Sequence, residues 1–514
     1  MRYRTILFCV LLGAVQQACQ APEVTFLEIV EQTPWGAETF YEPVFPSSRL
    51  VITEFGAKQE SENNQKSIQA AINACHKNGG GVVEVPSGKW LTSWLELKSN
   101  VNLFLASGAV LFFSNDRALY NVPTFTRWEG IECMNYHPLI YARDAENIAI
   151  TGSGKIDGNG KAWWSFGKGN QIRTLTKLYD QVEDGVAPEL RNCLAYAPTS
   201  YLRPSLIQTV NCKNVLVDGI EVGSGPMWTV HFIYCENVIA RNLRVITNGV
   251  NNDGITPDAC NKVLIDNCYF STGDDCIVIK SGLNEDGWRV GKTSQNIVIK
   301  NCKTSYGHGG IVIGSEMSGG VRNVYAHDCD FSHTERGLRF KSMRGRGGVI
   351  ENLWFENIRM DSITREAIQI NMHYGSSSIA PRSQEPPVFR NFHFKNITSS
   401  YAEYAVRMRG LEEQYVDSMS FSGIDINSRY GIVVENVKNC SFDSLKIQSG
   451  EGPIAITNAE NLWFKNTRYD APVDTMVRLK GRCEQLHFTN TNSSDYISAF
   501  SSKGSSGDGL IVFD

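Results

Sequence analysis

The chain has no surplus of basic charge. Its 514 residues carry 49 Lys and Arg against 54 Asp and Glu, a formal net charge of −5. Sequence-independent binding of nucleic acid needs spare cations to neutralise phosphates, so this balance argues against such a partner. No Cys/His cluster has the spacing of a zinc site, and long stretches with a helical period are scarce. An apolar run does open the chain, Ile6 to Val15, but it is too short to span a bilayer. What is present is an ordinary globular balance, 42% hydrophobic and 20% charged, with 45 glycines. That composition can bury a large core and leans towards β structure.

Arg2 and Arg4 ahead of Ile6–Val15 have the make-up of an export signal. Cleavage after Ala18 would leave Cys19 free to carry a lipid, the one membrane attachment expected here; cleavage after Ala21 would not. The expected location is outside the cytoplasm of a bacterial cell: periplasmic, anchored at the outer membrane, or secreted. Residues 1–21 are thus expected as signal, 22–49 as a leader segment, 50–492 as one catalytic domain and 493–514 as a Ser/Gly-rich tail. Most of the 14 cysteines sit inside β-like runs. Cys268, Cys302 and Cys329 hold the repeat position that Ile220, Leu243, Ile358 and Ile397 hold elsewhere, which predicts buried thiols in place of aliphatics.

The amphipathic stretch Ser67–Ala74 ends at Gly79-Gly80-Gly81 and predicts a short helix capping the first strands. Beyond it one motif recurs, Asn followed by alternating apolar residues, at Asn147, Asn214, Asn237, Asn296, Asn323, Asn352, Asn391, Asn439 and Asn461. A period of roughly 20–50 residues with short strands signals a solenoid or propeller, and four strands per propeller blade would need more residues than this repeat holds. A coiled parallel β-helix fits. Asn tolerates the left-handed backbone of a tight turn, so a ladder of Asn at one corner has a physical cause.

A second strand in each repeat aligns independently. Ile255, Ile277, Ile311, Leu338, Ile368, Val406, Ile432 and Ile454 form one inward column, and alternation turns the residues between the inward columns outward. Lys280, Arg339, Lys341, Arg407 and Arg409 then share one outer face. Two long excursions, Trp163–Pro204 and Met372–Pro387, leave the coil and are placed to wall a groove on that face.

Acidic and basic groups concentrate between Asn251 and Ser342. Asp253 and Asp275 each precede the inward column by two residues, so they take matching places on neighbouring coils. Asp274 adjoins Asp275, His308 falls on the next coil, and Arg339 and Lys341 on the one after. Clustered carboxylates raise one another's pKa and can keep an acid protonated, while cations counter an anionic sugar. If acid and base bracket a water, their carboxyls are expected roughly 6.5–9.5 Å apart.

Asn251-Asn252-Asp253, Gly273-Asp274-Asp275, Gly307-His308-Gly309 and Arg339-Phe340-Lys341, with Gly314–Gly320, resemble the motif set of glycoside hydrolase family 28, the polygalacturonase family. The resemblance spans roughly residues 50 to 470. It implies an all-β, right-handed parallel β-helix and inverting hydrolysis of α-linked galacturonic acid in pectic polysaccharide without a cofactor or metal. Carried over by motif, Asp274 is the general acid, Asp253 and Asp275 activate water, and His308 tunes the acid. Arg339 and Lys341 hold the substrate carboxylate, with Asn251, Lys280, Arg407 and Arg409 as further substrate-binding candidates. Thr256 stands where many members carry another Asp. Rhamnogalacturonan, xylogalacturonan and rhamnoside hydrolysis occur in the same family. A calcium-dependent β-helix lyase and a non-catalytic pectin-binding solenoid are the readings from other classes. The two bordering excursions point to an exo-acting enzyme that releases monomer from the non-reducing end.

Overall fold

A computed structural model describes residues 24–165, 168–196, 201–375, 383–473, 475–492 and 511–513. The expected signal and Cys19 lie outside them. Among the described residues no helix is long and apolar enough to cross a membrane.

Three parallel sheets run the length of the molecule, each strand pairing with its counterpart one turn on. One sheet stacks Ile207–Val210, Val230–Ile233, Ile255–Asp258, Ile277–Ile279, Ile311–Ile313 and Leu338–Lys341 in order. A second stacks Lys213–Asp218, Glu236–Arg241, Asn261–Asp266 and Ser294–Lys300. The short strands Glu221–Gly223, Arg244–Ile246 and Tyr269–Ser271 belong to the third. This is the right-handed parallel β-helix, the hand that parallel crossover connections take. The register places Val312 beside Arg339, Arg339 beside Gln369 and Gln369 beside Arg407. The outward column read from alternation is therefore real, and every member of the Ile255–Ile454 inward column is buried in the continuous core.

The Asn corner is a ladder of left-handed turns. Asn147, Asn214, Asn237, Asn296, Asn323, Asn352 and Asn391 have φ between 53° and 61°. Each side-chain amide can then donate to the Asn below it, as Asn237 does to Asn214 at 2.8 Å and Asn323 to Asn296 at 3.0 Å. Inside, Phe394, Phe421, Phe442, Phe464 and Phe488 stack with centroids 4.5–4.9 Å apart. Offset-stacked aromatic pairs contribute about 0.5–1.5 kcal/mol each beyond the area they bury. Cys268, Cys302 and Cys329 are buried free thiols at their aliphatic position, as expected.

The capping helix runs Gln65–Lys77, longer than its core motif, and buries Ile68, Ala71, Ile72 and Cys75. Two stretches differ from their expected character. The leader forms an antiparallel hairpin, Thr25–Thr33 with Gly36–Val44. Its Phe40 seals an apolar patch of Ala149, Leu216, Ile239 and Leu264 on the outside of the coil. The patch cannot be recognised in advance, because these residues occupy outward positions of strands whose apolar run is nearly unbroken. The tail also differs, since Ile511–Phe513 adds a strand beside Leu486–Phe488.

The first excursion carries a helix, Lys168–Glu183. Its Leu175, Leu178 and Tyr179 pack on Trp128, Ile131 and Cys133 of a second antiparallel hairpin, Thr124–Trp128 with Ile131–Asn135. Helix and hairpin together raise a wall beside the sheet that contains Ile207–Val210.

Candidate active site

The turn before Ile255 is fixed by Asn252, which is fully buried. Its amide nitrogen donates to the carbonyls of Gly225 and Met227, both at 3.0 Å, and its oxygen accepts from the Gly249 N–H at 2.9 Å. That leaves Asp253 to face outward as the strand begins. One coil on, the Asp275 N–H donates to Asp274 Oδ1 at 2.9 Å, and the His308 N–H to the Asp274 carbonyl at 3.0 Å. The chain is still turning here, so two adjacent side chains serve one site, which a regular strand forbids.

Asp253, Asp274 and Asp275 each bring an oxygen within 4.8 Å of the others. The wide separation expected for acid and base is thus not what the fold provides. Neighbouring coils sit only about 4.8 Å apart, and carboxylates at equivalent positions inherit that spacing. A water bridging two carboxylate oxygens needs no more room than this.

Cations neutralise the trio. Lys341 Nζ lies 2.7 Å from Asp275 Oδ2, and Arg339 donates to Asp275 Oδ1 at 3.2 Å. Lys280 donates to Glu316 at 2.6 Å and stands 3.9 Å from Asp253. Burial opposes the charge of Asp275, yet Lys341 and Arg339 hold it well below the usual carboxylate range. Glu316 is drawn down to about 2, again against burial, chiefly by Lys280 and Arg346. Asp253 goes the other way: burial, then the charge of Asp274, raise it well above its ordinary value. The surroundings thus favour the neutral form of Asp253 and the charged form of Asp275. His308 Nδ1 sits 3.0 Å from Asp274 Oδ1, and that hydrogen bond, with the nearby carboxylates, raises the imidazole against partial burial. Gly309 lets this happen. A Cβ there would stand 2.4 Å from Val312 and 3.2 Å from Asp275 Oδ1.

These groups border a cavity of about 560 Å³. Trp164, Gln171, Ile172, Leu175 and Arg203 of the first excursion line it, as do Tyr374 and Gly375 of the second. Both excursions therefore wall the site. Of the residues singled out in the sequence, Asn251, Asp253, Asp274, Asp275, Lys280 and Lys341 line the cavity, and His308 and Arg339 are bonded to the trio. Arg407 and Arg409 do not reach it. They lie two coils beyond Arg339 and Lys341, paired with Glu366 and Glu435 at 3.3 and 3.0 Å, around a separate hollow of about 200 Å³. The basic stripe is real in position but mostly neutralised, because cations pressed against a sheet must find acidic partners.

Sequence reasoning passed over Glu316, Trp228, Glu129, Arg203 and Tyr374. Glu316 sits in the Gly314–Gly320 run whose resemblance was visible, so a signal existed. Trp228 lies 4.5 Å from Lys280 Nζ, and the Tyr374 ring 5.2 Å from Lys341 Nζ. Arg203, Glu129 and Tyr374 come from excursions or a hairpin with no repeat to place them.

With the fold and this arrangement in view, the likeness to known proteins is decisive. Residues 198–445 match the model of glycosyl hydrolases family 28. The solved hyperthermoactive exopolygalacturonase of Thermotoga maritima is 35% identical, with a TM-score of 0.72 over 84% of this chain and 94% of that one. The chain belongs to family 28. The chain is also similar to the exo-poly-alpha-D-galacturonosidase of Dickeya chrysanthemi, 27% identical over 80% of this chain and 73% of that protein. A probable polygalacturonase of Vitis vinifera is 28% identical over 73% and 74%. This family 28 chain is a glycoside hydrolase.

Proposed function

We propose that this enzyme releases galacturonic acid stepwise from the non-reducing end of polygalacturonan, the α-linked backbone of pectin, after export from the cell. The carrying observation is a carboxylate trio set among buried cations in a cavity walled by two excursions. A neutral rhamnoside gives those cations nothing to bind, whereas a uronate does. The exo-acting names borne by the Thermotoga and Dickeya relatives support the same reading. Asp274, the most exposed of the trio and hydrogen-bonded to His308, is proposed as general acid. Asp253 and Asp275 position the attacking water. Arg339 and Lys341 meet the carboxylate of the sugar beyond the scissile bond, and Asn251 and Lys280 complete the near side. Arg407 and Arg409 are assigned to a later residue of the chain, beyond the cavity itself.

The mode of attack is checked by following viscosity against reducing ends on polygalacturonate. Monomer should accumulate from the start while viscosity falls slowly. A steep early drop with a ladder of mid-length oligomers would show an open cleft, and an ultraviolet-absorbing unsaturated product would show a lyase.

The stereochemistry is a separate prediction. A water held between Asp253 and Asp275 attacks the face opposite the departing oxygen, so the first product from an α-linked substrate is the β anomer. Proton NMR in the first minutes of reaction decides it. An initial α product would mean that one of these closely spaced carboxylates attacks the sugar directly.

A further inference from the structure

Arg203 is 2% exposed and lines the cavity from the foot of the wall. Its Nη1 donates to the carbonyls of Pro226 at 3.0 Å and Val250 at 2.6 Å, and its Nη2 to Asn251 Oδ1 at 2.6 Å. All three acceptors are neutral, and Nε has none. A guanidinium carries five N–H donors and does not give up its charge in a protein. Three other cations at the trio each have a carboxylate at hydrogen-bond distance: Lys280 has Glu316, and Arg339 and Lys341 have Asp275. Among the described residues Arg203 has no acid within ion-pair distance.

The nearest candidate counter-ion does not serve. Glu129 stands at the tip of the Thr124–Asn135 hairpin with φ of 42°, a left-handed conformation unusual for glutamate. Its turn is fastened by the Leu283 N–H donating to the Gly130 carbonyl at 3.0 Å. The side chain lines the cavity but makes no hydrogen bond or ion pair among the described residues. Burial, then the charge of Glu316, push its carboxyl up to about 7 against the pull of Lys280 and Arg203. Its neutral form is thereby favoured, and the buried cation faces the cavity with no ion-paired acid, an arrangement costly unless something anionic arrives.

Position says what arrives. Arg203 grips the Val250–Asn251 turn on the Asp253 side of the trio, whereas Arg339 and Lys341 flank Asp275 on the other. We propose that Arg203 is the receptor for the carboxylate of the terminal sugar, the one released, on the walled side of the scissile bond. This rests on the galacturonidase reading and adds to it. The enzyme reads a free acid on both sides of the bond, so a chain end whose carboxyl is methyl-esterified is refused.

The test uses the full-length enzyme on digalacturonate and on the same disaccharide methyl-esterified only at its non-reducing residue, near pH 5. A charge-assisted contact should make wild type prefer the free acid by about a hundredfold in kcat/KM. Arg203→Gln should lose about that factor on the free acid and stay within about threefold of wild type on the ester, which erases the preference. Arg203→Lys keeps the charge without the fork and should recover part of it, and it stands in should the Gln variant not fold. Wild type with equal rates on both substrates overturns the inference. So does a folded Arg203 variant that retains the full preference. Inertness of wild type towards both disaccharides, with activity on some neutral glycoside, would instead sink the galacturonidase reading and the inference with it.

Discussion

Asp274→Asn is expected to lower kcat by about 10²–10⁴, the range that general acid catalysis supplies, with the melting temperature close to wild type. The fold tolerates the change for a local reason. Asp274 Oδ1 accepts from the Asp275 N–H and lies against His308 Nδ1, and an amide oxygen can accept in the same place. Retention of more than a tenth of wild-type kcat would remove Asp274 from the acid's role. The electrostatics make a companion measurement necessary, because burial and the charge of Asp274 favour the neutral form of Asp253. Proton position in the empty site and proton donation in the loaded one are different properties of a coupled cluster. A galacturonide with an aryl leaving group of low pKa needs no acid. If Asp274 is the donor, that substrate should restore most of the lost rate to Asp274→Asn and none to Asp253→Asn. Restoration in the Asp253 variant would exchange the two roles.

The site was legible where the repeat carries it. Alternation on a strand is strict, so Ile277, Ile311 and Leu338 set the parity of Lys280, Arg339 and Lys341. The Asn ladder was legible for a similar reason, since few other side chains accept φ near 55° at a recurring corner. What could not be read was anything set by contacts between parts of the chain that share no period. Arg203 and Glu129 meet in one cavity although 74 residues apart in sequence, and neither the hairpin nor the excursion obeys the coil. The charge state of the basic column was hidden too. Glu316 and Glu366 meet their cations only in space, whereas Glu435 is the register neighbour of Arg409 one coil on. The spacing of the carboxylates was misjudged because a general rule for acid and base was applied where coil stacking sets the distance.

Lys341→Met should cost both stability and activity, and pH separates the two causes. Asp275 is 1% exposed on its side chain and Lys341 7%, with 2.7 Å between the charged atoms. Removing one member of a buried pair leaves the other charge uncompensated, at about 3–5 kcal/mol. Arg339 remains at 3.2 Å from the same carboxylate, which places the expected loss near the lower end, about 3 kcal/mol. The sign with pH follows from Asp275. Its folded-state pKa lies well below the unfolded value of about 3.9, so the pair's stabilisation is fully present above pH ~4. It fades as the pH falls from there through the folded value. The gap between wild type and Lys341→Met should therefore be widest at neutral pH and narrow towards pH 3. Lys446→Met is the control, because its ion pair with Asp425 is 65% and 51% exposed and should be worth about 0–1 kcal/mol. Melting curves of the three proteins at pH 7 and pH 3 decide the matter, with kcat/KM on digalacturonate measured alongside. An unchanged melting point at pH 7 would mean that Asp275 does not depend on Lys341. A deficit of the same size at both pH values would assign the loss to packing of the lysine stem, leaving Arg339 as the hydrogen-bonded cation of Asp275.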